Sequence, residues 1–124
     1  MALFDHLGFG VADFAKSRAF YAKALAPLGI GVIVEGEDFA GIGRDGRPQF
    51  WIAVGEKTAS GLHVAFAAAD RAAVQAFYEA AIAAGGKDNG PPGLRPNYHP
   101  NYYGAFVIDP DGHNIEAVCH GPAA

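Results

Sequence analysis

Two histidines and one glutamate carry the most chemistry in this chain of 124 residues. His6 sits in a stretch where Leu3, Asp5, Leu7, Phe9 and Val11 alternate with Phe4, His6, Gly8 and Gly10, the period-2 pattern of a strand. The positions that follow His6 on its own face are Gly8 and Gly10, and those that follow His63 are Ala65 and Ala67. A face packed on a core would carry Val, Ile or Leu there. Small residues beside an imidazole leave room for a ligand or a metal. Glu116 lies in a final apolar strand, where it shares a face with Asn114, Val118 and His120. A carboxylate there is costly to bury unless it is paired or binds a cation. Two imidazoles and one carboxylate make a competent divalent-metal site with positions left open for water or substrate.

The elements that must position these residues come in two copies. His6 and His63 are 57 positions apart, and the same offset relates Phe9 to Phe66, Asp13 to Asp70, Phe20-Tyr21 to Phe77-Tyr78 and Gly29 to Gly86. Such self-similarity points to a repeated supersecondary unit. In the first copy Asp13 reads as the N-cap of a helix that ends at Pro27 and Gly29. Strands are expected over Gly31 to Glu35, Phe39 to Arg44 and Gln49 to Val54, with a turn at Asp45-Gly46. In the second copy a strand from Leu62 precedes a helix capped by Asp70 and stopped by Gly85-Gly86. Strands from Tyr102 to Ile108 and from Asn114 to about His120 follow. The expected fold is α+β: two tandem β-α-β-β-β modules, residues 1–57 and 58–124 of a single domain, forming a curved mixed sheet around a cup.

Between the second helix and its next strand, Lys87 to Asn101 is rich in Pro, Gly and Asn, and loops of this length in compact domains are usually functional or disordered. It concentrates Arg95, Tyr98 and His99 close to Tyr102 and Tyr103. Arg95 could grip an anionic oxygen, and His99 or a tyrosine could act as acid or base. Tyr103 and His120 complete the candidate substrate contacts. Elsewhere bland readings are favoured: His113 at the surface, Cys119 as a small buried residue, and Trp51 as packing.

Composition narrows the class. A net charge of −4 and an isoelectric point near 5.6 offer no basic face for nucleic acid. No apolar run approaches the roughly 20 residues needed to span a bilayer, and no secretory signal pattern opens the chain. The lone Cys119 suits a reducing cytoplasm.

His6 opening a β-α-β-β-β module, its repeat His63, and the run Asp109-Pro-Asp-Gly-His-Asn-Ile-Glu116 resemble the vicinal oxygen chelate superfamily. That superfamily embraces glyoxalases, extradiol dioxygenases and bleomycin-resistance proteins, and the resemblance spans the whole chain. It implies that His6, His63 and Glu116 hold one divalent ion (Fe, Zn, Mn or Ni) and that a homodimer forms. Glyoxalase I has a further carboxylate on the last strand of its first module. Matching Asp45-Gly46 to Asp111-Gly112 puts Phe50 at that position, where it can neither ligate nor move a proton, and makes it a candidate substrate wall. The expectation is a metal-dependent lyase, isomerase or ring-cleaving dioxygenase acting on a small oxygenated molecule. The rival is a metal-free protein that sequesters an antibiotic or metabolite.

Overall fold

The structure, a computed structural model, describes residues 3–55 and 61–122; the expected junction at Glu56 to Ser60 lies outside them. Strand β1 (Leu7–Val11) leads into helix α1 (Phe14–Leu25), a 3-10 turn at Ala26–Leu28, and strands β2 (Gly31–Glu35), β3 (Phe39–Arg44) and β4 (Arg47–Val54). The second half follows the same order with two short strands in place of one: β5 (His63–Ala67), α2 (Arg71–Ala83), β6 (Lys87–Asp88) and β7 (Gly93–Leu94), then β8 (Tyr103–Ile108) and β9 (Asn114–Cys119).

Each helix starts where the sequence places it. Asp13 is extended and its carboxylate accepts from the Lys16 amide, while Asp70 does the same for Ala73. Each cap contributes about 1 kcal/mol by satisfying an amide that the helix cannot. Gly29 closes the first helical segment with φ of 75°, a left-handed conformation that costs glycine little.

The strands form two mixed sheets, one per module. Their orders are β1-β4-β3-β2 and β5-β9-β8-β6, with β7 pairing β8, and the first and last strands of each module run parallel. The helix-covered faces of both sheets share one core. Phe50 of β4 meets Tyr21 of α1 at 5.0 Å and Phe66 of β5 at 5.5 Å between ring centroids, and Phe20, Phe77, Ile42 and Ile115 are fully enclosed around them. The opposite faces of the sheets therefore point away from this core, and His63, Ala65 and Ala67 are exposed on one of them.

A polar lock crosses between the modules. Tyr21 of α1 donates its hydroxyl to buried Asp109, and Asp111 accepts from the Ala12 amide at 3.0 Å and the Ser17 hydroxyl at 3.1 Å. Burial first, and Asp109 second, push the Tyr21 hydroxyl far above its ordinary pKa. Asp109 also accepts from the amides of Asp111 and His113. His113, expected at the surface, is fully buried: its Nδ1 accepts from the Leu62 amide, and its ring lies 4.9 Å from Phe9. The turn is drawn inward because Asp109 is its anchor.

Two other expectations change. The first strand begins at Leu7 rather than Leu3, leaving Leu3 89% and Phe4 68% exposed. Leu7 pairs with Phe50 in parallel, so a longer β1 would need the bulged Gln49 and then Pro48, which has no amide to donate. The stretch from Lys87 is no simple loop either. Its β6 and β7 track β8, bridged by Asn89 donating to Phe106 and Phe106 to Gly90, so the true excursion is confined to residues 95–102.

Candidate functional site

The site grows from the parallel pair β5 and β9. His63 stands across from Asn114, and Ala65 across from Glu116, so the imidazole and the carboxylate share the open face of the second sheet. Nδ1 of His63 lies 3.0 Å from the Asn114 carbonyl oxygen. A carbonyl only accepts, so Nδ1 holds the proton, and Nε2 of the neutral ring presents a lone pair. That Nε2 is 3.0 Å from Glu116 Oε1. A lone pair facing a carboxylate oxygen at this range needs a positive species: a proton, giving an imidazolium–carboxylate pair, or a metal cation. A backbone carbonyl on Nδ1 is also the usual support of a metal-binding histidine.

Glu116 is only 1% exposed, a depth at which a carboxylate needs partners on both oxygens. Its Oε2 accepts from the Tyr102 hydroxyl. Burial, then Glu116, raise the Tyr102 hydroxyl above the ordinary tyrosine value. Around Tyr102 stand Tyr98, His99 and His120, with ring centroids at 4.9, 5.5 and 5.2 Å. His99 Nδ1 accepts from the Asn101 amide, which leaves the proton on Nε2, and Nε2 meets His120 Nδ1. On the far side Phe106 stacks with His63 at 6.2 Å and carries the Arg95 guanidinium at 5.3 Å. Arg95 spends donors on the carbonyls of Pro91 and Leu94.

Of the expected site residues, His63, Glu116, Arg95, Tyr98, His99 and His120 thus gather on or beside the open face of sheet two. His6, Phe50 and Tyr103 do not. His6 precedes β1, is 61% exposed and pairs with Asp5 at 2.7 Å. Among the described residues no three His, Cys, Asp or Glu side chains come close enough to hold a metal ion, so within one chain His6 does not join His63 and Glu116. Tyr103 faces α2: it pairs with Cys119, its hydroxyl accepts from Gln75 at 2.8 Å, and Arg71 lies 5.0 Å from its ring. Tyr102 occupies the open face instead. Alternation along β8 signals this, since Tyr102 has the parity of Phe106, which pairs with Glu116.

The pairing also corrects the counterpart of Glu116. Glu116 lies across from Ala65, the repeat of Gly8, and Gly8 lies across from Trp51. The register shifts between Ile42 and Gly43, so β4 takes up one extra residue before this point. The shift moves Phe50 to the core face, where it is 4% exposed, and sends Trp51 to the open one. Phe50 still forms one wall of a cavity of about 230 Å³ at the edge between the modules. Its other walls include His6, Ile42, Arg44, Ala65 and Phe66.

Two β-α-β-β-β modules sharing one core, with a histidine–glutamate pair on the open face of one sheet, define an α+β protein of the paired-module class. The profile of the glyoxalase/bleomycin resistance protein/dioxygenase superfamily matches residues 3–117, and the chain belongs to that superfamily. It is similar to a crystal structure of a glyoxalase/bleomycin resistance protein from Albidiferax ferrireducens, with 32% identity, a TM-score of 0.83, and 94% and 98% of the two chains covered. A glyoxalase/bleomycin resistance protein/dioxygenase family enzyme from Burkholderia phytofirmans shares the fold at 18% identity and a TM-score of 0.73, over 94% and 98% of the chains. A glyoxalase I mutant from Zea mays does so at 23% identity and 0.72, covering 93% of this chain and 45% of its own. A search of curated proteins gave no significant match.

Proposed function

We propose that the protein is a divalent-metal-dependent enzyme acting on a small oxygenated molecule, and that His63 and Glu116 form half of its metal site. The observation that carries this reading is the approach of His63 Nε2 to within 3.0 Å of buried Glu116 Oε1, with Nδ1 held by the Asn114 carbonyl. Borderline N and O donors of this kind suit Zn, Mn, Ni or Fe. His6 is the third ligand, supplied by a second copy of the chain in a homodimer. The outward direction of both open faces supports this reading, as does the separation of His6 from His63 and Glu116 among the described residues of one chain. A bound ion would supply Lewis acidity toward a substrate oxygen. Around it, His63 and Glu116 hold position, Tyr98 and His99 border the substrate, and His120 offers a hydrogen bond from Nε2 once Nδ1 is taken by His99. Arg95, backed by Phe106, adds positive charge at the rim.

A second reading is supported by the cavity between the modules. It is largely apolar, with Phe50 as one wall, and fits a protein that sequesters a small molecule without chemistry. Neither reading invokes nucleic acid or a membrane: the chain carries net charge −4 and, among the described residues, no helix is long and apolar enough to cross a bilayer. A reducing cytoplasm is the proposed location.

Metal analysis of the purified protein beside His6→Ala and Glu116→Ala separates the two readings. Stoichiometric metal in the wild type that is lost in both variants supports the enzyme. A wild type that takes up no added divalent ion yet binds small aromatic molecules supports sequestration.

A further inference from the structure

We propose that Tyr102 is a positioning residue that occupies Glu116 Oε2 and so keeps Oε1 directed at the His63 Nε2 side of the site. The inference rests on the metal-site reading above and extends it. A carboxylate on a strand can turn about its terminal bonds and present either oxygen, or both, to a cation. Here that freedom is removed from one side. The Tyr102 hydroxyl donates to Oε2, while Oε1 lies 3.0 Å from His63 Nε2.

The surroundings are built for this contact. Gly104 lies between the two groups. A Cβ there would sit 3.1 Å from Glu116 Oε2 and 3.3 Å from Tyr102 Cε1, tighter than ordinary van der Waals contact. Any larger residue at this position would push the carboxylate and the phenol apart. The Tyr102 ring is held in turn by Tyr98, His99 and His120. Its backbone is pinned at both ends of the excursion, since its amide donates to the His99 carbonyl at 3.1 Å and its carbonyl accepts from Arg95 at 2.7 Å. The excursion over residues 95–102 therefore has a specific use: it delivers a phenol to Glu116 from a strand that otherwise offers Gly104 and Phe106. The consequence is that Oε1 is the oxygen Glu116 would offer to an ion held beside His63, the charge of Oε2 being already shared with a donor.

The test is a cobalt(II) titration of full-length wild type, Tyr102→Phe, Gly104→Ala and, as control, Tyr103→Phe, followed by visible absorption. Tyr102→Phe and Gly104→Ala should each bind cobalt about 10–100-fold more weakly, the usual cost of losing a partner of a metal ligand. Their bound spectra should also change as Oε2 becomes free to coordinate, which a loss of stability alone would not produce. Tyr103→Phe should match wild type. Unaltered affinity and spectrum in Tyr102→Phe would overturn the proposal. If wild type itself takes up no cobalt, the metal-site reading fails, and the metal-free protein decides on Tyr102: the 15N signal of His63 Nε2 should shift in Tyr102→Phe, and an unmoved signal overturns the inference.

Discussion

The two sheets present equivalent rows of residues on their open faces, and the rows have opposite chemistry. In module one Gly8, Trp51 and Gly41 line up across three strands; in module two the row is Ala65, Glu116 and Phe106. The first row clears its flanks to seat an indole. A Cβ at Gly41 would fall 2.7 Å from the Trp51 ring, and one at Gly8 would fall 3.0 Å from Trp51 Cβ. Phe39 stacks beside that ring at 6.4 Å. The second row carries a buried carboxylate with a partner on each oxygen. One β-α-β-β-β scaffold thus carries an aromatic wall in one copy and a histidine–carboxylate pair in the other, and all three residues of the row differ between them.

The largest test of this division is removal of each central residue. Glu116→Ala should abolish divalent-ion binding measured by calorimetry, whereas Trp51→Ala should retain it within a few-fold. Equal loss in both variants would erase the distinction. Exchange in the other direction sharpens it. Trp51→Glu installs a carboxylate at the counterpart of Glu116 and should tighten cation binding by roughly 10-fold, because affinity follows ligand charge; no gain would mean that the first open face does not border the site.

Stability effects are smaller. Gly41→Ala should cost about 1–3 kcal/mol in urea unfolding, the range for overpacking, through its clash with Trp51. Gly31→Ala, with nothing within 4 Å of the added carbon, should be close to neutral; similar costs at both positions would contradict the packing account.

The smallest effect concerns module one's exposed Arg18–Glu35 pair, whose bidentate contacts are 2.7 and 2.8 Å. The hydrogen bond from Arg18 is the main reason the Glu35 carboxyl titrates below its ordinary value. A depressed folded pKa contributes stability above the unfolded value of about 4.3, and that contribution fades as pH falls through the folded value. Glu35→Gln should therefore lower the urea midpoint slightly at pH 7 and leave it unchanged near pH 2. A deficit that persists in acid would assign the effect to packing.

The parts of this molecule that can be read from sequence are those set by local physics. Asp13 and Asp70 announce helix starts because a cap needs only its own side chain and an amide three residues on. The parity of His63 and Glu116 survives because β5 and β9 pair without irregularity. Phe50 was misplaced by a single bulged residue, since one inserted position reverses every later side chain. Tyr102 could have been chosen over Tyr103 by counting back from Phe106. His113 could not have been found buried, because its burial depends on Asp109 meeting Tyr21 from the other module. The separation of His6 from its expected partners is likewise a matter of how the two sheets share a core, which no spacing in the chain records.

The central claim, a half-site completed by a second copy, is tested most directly by subunit complementation. His6→Ala and Glu116→Ala chains are purified, unfolded together, refolded and assayed for bound metal. Each variant alone should be empty, and the mixture should regain metal, because a mixed dimer pairs the intact His6 of one chain with the intact His63 and Glu116 of the other. A mixture as empty as its components, from a wild type that binds metal, would contradict the account.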